Sequence, residues 1–184
     1  GADYHYSHSA GRLLWGHVWV TAQLVVLGQS YPVRWRLYRR QATCQELGIP
    51  FASKPELAQA IVRDFQPLLG TQTYVLTDSW YPSQQLLETC RERGFHLISA
   101  VKSDRKLRVA DHNLQAKQWA QTLPKRAFDF VTVNTAGYKL WSTVGRLASG
   151  HAARLVINRP IGQKGWRYLV STDCSLTAQT VISY

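Results

Sequence analysis

Methionine is absent from the chain and acids are scarce: 11 Asp plus Glu stand against 22 Lys plus Arg, a formal net charge of +11 over 184 residues. So basic a balance favours a polyanionic partner, nucleic acid first and an anionic membrane surface second. The membrane is set aside, because no apolar segment approaches the roughly 18 residues that span a bilayer and no basic amphipathic helix is present. Cysteine is equally sparse. Cys44, Cys90 and Cys174 are odd in number and far apart, without a CxxC pair or a zinc-like spacing, which suits a reducing cytoplasm. Internal repeats, low-complexity tracts and a glycine-rich phosphate loop are missing, and no nucleophile elbow accompanies the Ser, His and Asp residues, so a hydrolase triad has no support. With neither an initiator methionine nor a signal peptide, the chain is expected to be cut from something longer.

What is present is organised around Tyr74-Val75-Leu76-Thr77-Asp78-Ser79-Trp80-Tyr81-Pro82, an apolar run ending in one carboxylate followed by aromatics. The run is β-prone, and after Pro82 and Ser83 a helical pattern sets Leu86, Leu87 and Cys90 on one face up to Gly94. A second β-prone run, Phe95 to Val101, follows. Strand, helix and strand in this order predict a βαβ unit with parallel strands, and Asp78 falls at the carboxyl end where such sheets gather functional groups. An Asp in a strand-to-helix turn also occurs for capping alone.

The length suits one compact domain. Residues 1–12 are polar and aromatic; His5 and His8 form an HxxH that does not read as helix and is taken as surface histidines. Leu13 to Leu27 is one long β-prone run, apolar on both faces. After a turn at Gly28-Gln29-Ser30 it returns through Tyr31 to Tyr38, where Val33, Trp35 and Leu37 read as the buried face and Arg34 and Arg36 as the exposed, basic one. Residues 39–52 read as loop. Ser53-Lys54-Pro55-Glu56 spells a capping box, predicting a helix through Leu69 that Gly70 ends. Beyond Val101, residues 102–108 form a basic loop. A short helix then runs through Ala116, Trp119 and Leu123 to Pro124. Strand-like runs at 128–133, 138–147, 153–158 and 166–171 predict an antiparallel patch. Ser175 is placed to cap a last helix toward Tyr184.

Several stretches together resemble the catalytic region of DDE-type insertion-sequence transposases: Tyr4-His5-Tyr6-Ser7-His8-Ser9 with Gly11-Arg12 and Gly16-His17, Tyr31-Pro32 with Arg36-Leu37-Tyr38, Phe51-Ala52-Ser53-Lys54, Thr77-Asp78-Ser79-Trp80-Tyr81, and Val101-Lys102-Ser103 with Arg105-Lys106. The resemblance covers nearly the whole chain. It implies an RNase H-like α/β fold, a mixed sheet flanked by helices with a β-rich insertion over 125–172. Two Asp and one Glu would hold two Mg²⁺ ions for DNA strand cleavage and transfer, with transposon ends and target DNA as partners, a homodimer as the assembly and the bacterial nucleoid as the place. By this resemblance Asp78 matches the second Asp. The first Asp would precede Gly1, and Asp3 is not promoted to its role because it falls in the loop after the expected strand. Tyr184 resembles the tyrosine that precedes the Glu on the last catalytic helix, which would place the Glu about two helical turns further on. Residues 1–184 are thus expected to be part of a catalytic domain without its first strand and last catalytic helix, and inactive alone; the alternative is a non-catalytic DNA-binding relic of the same fold.

The same resemblance makes Lys102, Arg105 and Lys106 candidates for phosphate contacts, against a merely solvated loop. Trp80 and Tyr81 are candidates for stacking on an unpaired base, against packing on the helix that follows. Arg34 and Arg36 either touch DNA or guard an edge strand from aggregation. His17 reads as a hydrogen-bonded core histidine.

Overall fold

The computed structural model describes residues 2–7 and 9–184, so His8 lies outside the described residues. The chain divides into two compact units, Gly1–Pro67 and Leu68–Tyr184.

In the first unit the polar, aromatic start is a strand, β1 (Asp3–Ser7), paired antiparallel with β2 (Arg12–Gly16). Asp3 therefore opens a strand rather than lying in a loop. The long apolar run is broken at His17, which is exposed instead of buried. Beyond it β3 (Val18–Val26) and β4 (Gln29–Tyr38) form a hairpin. Leu27 and Gly28 both take positive φ, 50° and 76°, the backbone of a two-residue turn whose twist matches the strands. A helix α1 (Gln41–Glu46), not expected from the sequence, precedes α2 (Lys54–Asp64). The capping box is formed as spelled: Ser53 Oγ accepts from Glu56 N–H, and Glu56 accepts from Ser53 N–H at 2.7 Å. The helix stops at Asp64 and not at Leu69, because Pro67 pushes the residue before it out of the helical region; Leu68 and Leu69 end up exposed.

The hairpin faces are the reverse of the expectation. Val20 is buried and stands opposite Arg36 in the ladder, and Arg36 pairs with Asp64 of α2 at 2.6 Å. Trp19 and Trp35 share the other, open side, edge to face at 4.7 Å between centroids and 45% and 65% exposed. The small apolar side chains Val18, Val20 and Ala22 leave room for a covering helix. The alternation of Val33, Trp35 and Leu37 marks one side of the strand but cannot say which side the helix takes.

The second unit carries the main sheet. β5 (Tyr74–Thr77), α3 (Gln84–Glu92) and β6 (His96–Ala100) form the expected βαβ unit, with β5 and β6 parallel in register Thr77 to Ser99. Ser83 caps α3 by accepting from Leu86 N–H, and Gly94 at φ 68° turns the chain into β6. The basic loop is in part a hairpin, β7 (Lys106–Val109) and β8 (His112–Gln115), followed by α4 (Ala116–Thr122). Then come β9 (Asp129–Val133), β10 (Ala136–Leu147), β11 (Ala152–Pro160), β12 (Arg167–Ser171) and α5 (Ala178–Ser183). Thr177 caps α5 rather than Ser175, whose hydroxyl is held by Asp173.

These antiparallel strands join the parallel pair edge to edge, in the order β5-β6-β12-β11-β10-β7-β8 with β9 also on β10. The large mixed sheet flanked by helices is consistent with the RNase H-like fold expected. One face packs Ile98, Leu140 and Val156 against Ala178 and Val181 of α5. Alternation sends Leu97 and Ser99 to the other face, where α3 packs on β6. Leu86, Leu97, Leu155 and Ile157 are 1% exposed or less, each worth about 1.5–3 kcal/mol of burial. No helix among the described residues is long and apolar enough to cross a membrane.

Candidate functional site

The end of β5 is fixed from β6. Thr77 Oγ1 donates to Ser99 Oγ at 2.8 Å, and the Ser99 hydroxyl in turn has its nearest acceptor in Ala100 O at 2.7 Å, with the carbonyl oxygens of Thr77 and Asp78 each 3.2 Å away. Ser99 is 1% exposed, so this small polar clasp sits in a dry place and holds the last peptides of β5 against its neighbour. Asp78 emerges from the clasp exposed to solvent. Its Oδ1 accepts from Trp80 N–H at 2.9 Å, a local turn that fixes the carboxylate and leaves the other oxygen available. This is a turn bond and not a helix cap, since Ser83 caps α3.

The aromatics after Asp78 divide. Tyr81 is half-buried, and its hydroxyl pKa is raised, by burial first and by the Asp78 charge second. Trp80 is 68% exposed, and Lys102 Nζ stands 5.2 Å from its ring centroid. Lys102 follows β6 as Asp78 follows β5, so the parallel pairing brings both to one edge. Arg105 Nη2 donates to Pro82 O at 2.6 Å, tying the loop to the entry of α3. Asp78, Trp80, Tyr81, Lys102 and Arg105 are thereby gathered. Lys106 goes elsewhere, into β7, where it is exposed opposite Gln115. Arg34 is exposed in the first unit, and Arg36 is not the free cation expected, being held by Asp64. Asp3 accepts from Tyr4 N–H and Thr43 Oγ1 and lies 3.5 Å from Arg40; the Tyr4 amide above all keeps its carboxyl below the usual range.

Tyr184 stacks obliquely on Tyr74, 5.1 Å between centroids, on the α5 side of the sheet. Beside Tyr184 opens a cleft of about 270 Å³ whose walls include Leu76, Thr77, Ile98, Asn158 and Tyr184. Asn158 is 2% exposed and its Nδ2 has no hydrogen-bond partner. Tyr74 also donates to Asp173 at 2.8 Å, and His96 Nε2 lies 4.0 Å from the same carboxylate. Burial first, then this bond, pushes the Tyr74 hydroxyl up to about 12. Asp173 sits at about 2, held down chiefly by the Ser175 hydroxyl.

Asp78 can be one hard oxygen ligand for a divalent cation. Among the described residues no three His, Cys, Asp or Glu side chains stand together to complete a metal centre. The residues present therefore fit a single ligand and not a two-metal site.

Sequence reasoning passed over Ser99, because a serine inside an apolar strand carries no local signal of what faces it. Asn158 was passed over for the same reason. The pairing of Tyr74 with Asp173 spans most of the second unit and is invisible to any local pattern.

A family model described as DDE superfamily endonuclease matches residues 1–155. No curated protein matches the chain.

Proposed function

The chain belongs to the DDE superfamily endonucleases, a family that acts on DNA with divalent metal, and on that premise we propose that Asp78 is one of its metal-binding acids. The proposed ion is Mg²⁺ and the proposed reaction is strand cleavage and transfer at transposon ends. The observation that carries this reading is the exposed carboxylate at the shared carboxyl edge of a parallel strand pair, with Lys102 on the same edge. Ser99 and Thr77 hold the carboxylate's backbone so that an arriving ion meets a fixed ligand. Trp80 offers an exposed ring on which a base can stack, with Lys102 above it to meet a phosphate. Arg105 steadies the loop through Pro82 O and keeps its remaining donors for DNA. Lys106, in the same unit as Asp78, and Arg34, on the first unit taken by itself, are proposed as further DNA contacts. Arg36 and Tyr81 join the proposal as weaker contributors, the first because Asp64 already neutralises it. Tyr184 is proposed as the tyrosine that precedes the catalytic Glu in the family pattern.

The alternative is a non-catalytic DNA-binding domain of the same fold, which would use the cations Lys102 and Arg105 without a metal. Paramagnetic Mn²⁺ separates the two. In amide NMR spectra of the chain, Mn²⁺ should broaden Asp78, Ser79 and Trp80 first, and Asp78→Asn should abolish that selectivity. Equal broadening in both proteins would sink Asp78 as a metal ligand and leave DNA binding alone, which labelled duplex DNA measures separately.

A further inference from the structure

Where β7 joins β10 the ladder is two residue pairs long, Arg146 opposite Arg108 and Leu147 opposite Leu107. On the other side of β7, Asn113 of β8 stands opposite Arg108. Directly opposite residues of antiparallel strands lie side by side, and like charges so placed repel. Yet no ion pair among the described residues involves either arginine. Arg146 Nη1 is tethered to Gly150 O at 3.0 Å, while Arg108 is exposed. Lys106, two residues along β7 and so on the same side as Arg108, adds a third cation.

The close approach depends on Gly145. A Cβ there would lie 2.4 Å from the Arg108 carbonyl oxygen and 2.8 Å from Val109 Cγ2, so a larger residue would push β7, and Arg108 with it, off β10. Beside this ladder lies a recess of about 140 Å³ lined by Arg108, Asn113, Arg146, Leu147, Ala148 and Gly150. Two planar guanidinium forks and an amide around one recess are donors in excess, matched to an anion with several acceptor oxygens.

We propose that Arg108, Arg146 and Asn113 form a phosphate-binding site whose ligand is a phosphodiester of the DNA backbone. This rests on the DNA reading above and adds to it a contact carried by β7, β8 and β10. A bound phosphate removes the repulsion between the two arginines. Because it touches no base edge, the contact strengthens binding without choosing a sequence.

The test is fluorescence anisotropy of the full chain on labelled duplexes of unrelated sequence, between about 50 and 200 mM NaCl. Arg108→Gln and Arg146→Gln should each weaken binding several-fold on every duplex and lower the salt slope by about 1. Arg108→Lys should keep most of the slope, and thermal melts by circular dichroism check that each variant folds. Binding by the unaltered chain with unchanged affinity and slope in both Gln variants would overturn the site and leave the DNA reading standing. Failure of the unaltered chain to bind any duplex would refute DNA as the ligand and the DNA reading with it. Inorganic phosphate, followed through the arginine Nε–Hε signals, then decides the rest. Saturable shifts of Arg108 and Arg146 would retain a site for free phosphate, and their absence would overturn the site altogether.

Discussion

Gly145 and Gly137 lie on the same strand, β10, and the same substitution should be nearly neutral at Gly137 and destabilising at Gly145. Neither has a left-handed backbone, so alanine is conformationally admissible at both. In each case it removes freedom from the unfolded chain, a gain of about 0.4–1 kcal/mol. At Gly137 the new methyl would meet Ile161 Cδ1 at 2.8 Å, the tip of a side chain that is 60% exposed and free to change rotamer. The expected net change is within about 0.5 kcal/mol of zero. At Gly145 the obstacle is the Arg108 carbonyl oxygen at 2.4 Å, which moves only if the backbone of β7 moves. Overpacking of that kind costs about 1–3 kcal/mol, so after the entropic gain Gly145→Ala should lose about 1–2 kcal/mol. Urea unfolding followed by tryptophan fluorescence measures both, and DNA affinity of Gly145→Ala should fall toward that of Arg108→Gln. If the two alanine variants unfold at the same urea concentration, the packing of β7 across Gly145 is wrong and the phosphate recess loses its geometric basis.

Two further outcomes follow from the polar contacts. Ser99→Ala leaves the Thr77 hydroxyl without its acceptor and should cost about 1–3 kcal/mol, whereas adding Thr77→Val should recover part of that loss, since removing both partners spares the orphaned donor. A double-mutant cycle by urea unfolding that shows strict additivity would rule out the clasp. Asp173, at about 2 in the folded chain against about 3.9 for an ordinary aspartate, contributes stability that is fully present above about pH 4 and lost as pH falls toward 2. Melting temperatures of Asp173→Asn should accordingly vary less over that window than those of the unaltered chain, and parallel curves would refute the assignment.

Those parts of the fold whose signals are local could be read in advance. Ser83, the apolar spacing of Leu86, Leu87 and Cys90, and Gly94 announce α3 and its flanking strands, because caps and helical periodicity are properties of neighbours in sequence. The capping box at Ser53 is legible in the same way. The span expected for α2 runs past its observed end at Asp64 because the apolar spacing continues through Leu68 and Leu69, whereas Pro67, through its effect on Gln66, is the stronger constraint. β7 was hidden among basic residues that read as loop. Asp78 was legible as a candidate from its place after a strand. The partners Ser99, Arg108 and Arg146 were not, since cross-strand register is set by the whole sheet. Arg36 was assigned to the wrong side because alternation identifies two faces of a strand and only the packed helix says which one is covered.

The two units differ in how much apolar core each one buries. Among the described residues of Gly1–Pro67 the buried apolar side chains are Val20, Cys44 and Ile61, whereas β11 alone buries Ala153, Leu155, Val156 and Ile157. Two-stranded ribbons with so thin a core are marginal by themselves, so they open at a lower free energy than the large sheet. Amide protons of β3 and β4 therefore exchange with solvent while those of β11 stay protected, and a protease meets the first unit open long before the second. Two exchange lifetimes are expected, the longer one in the unit that carries Asp78.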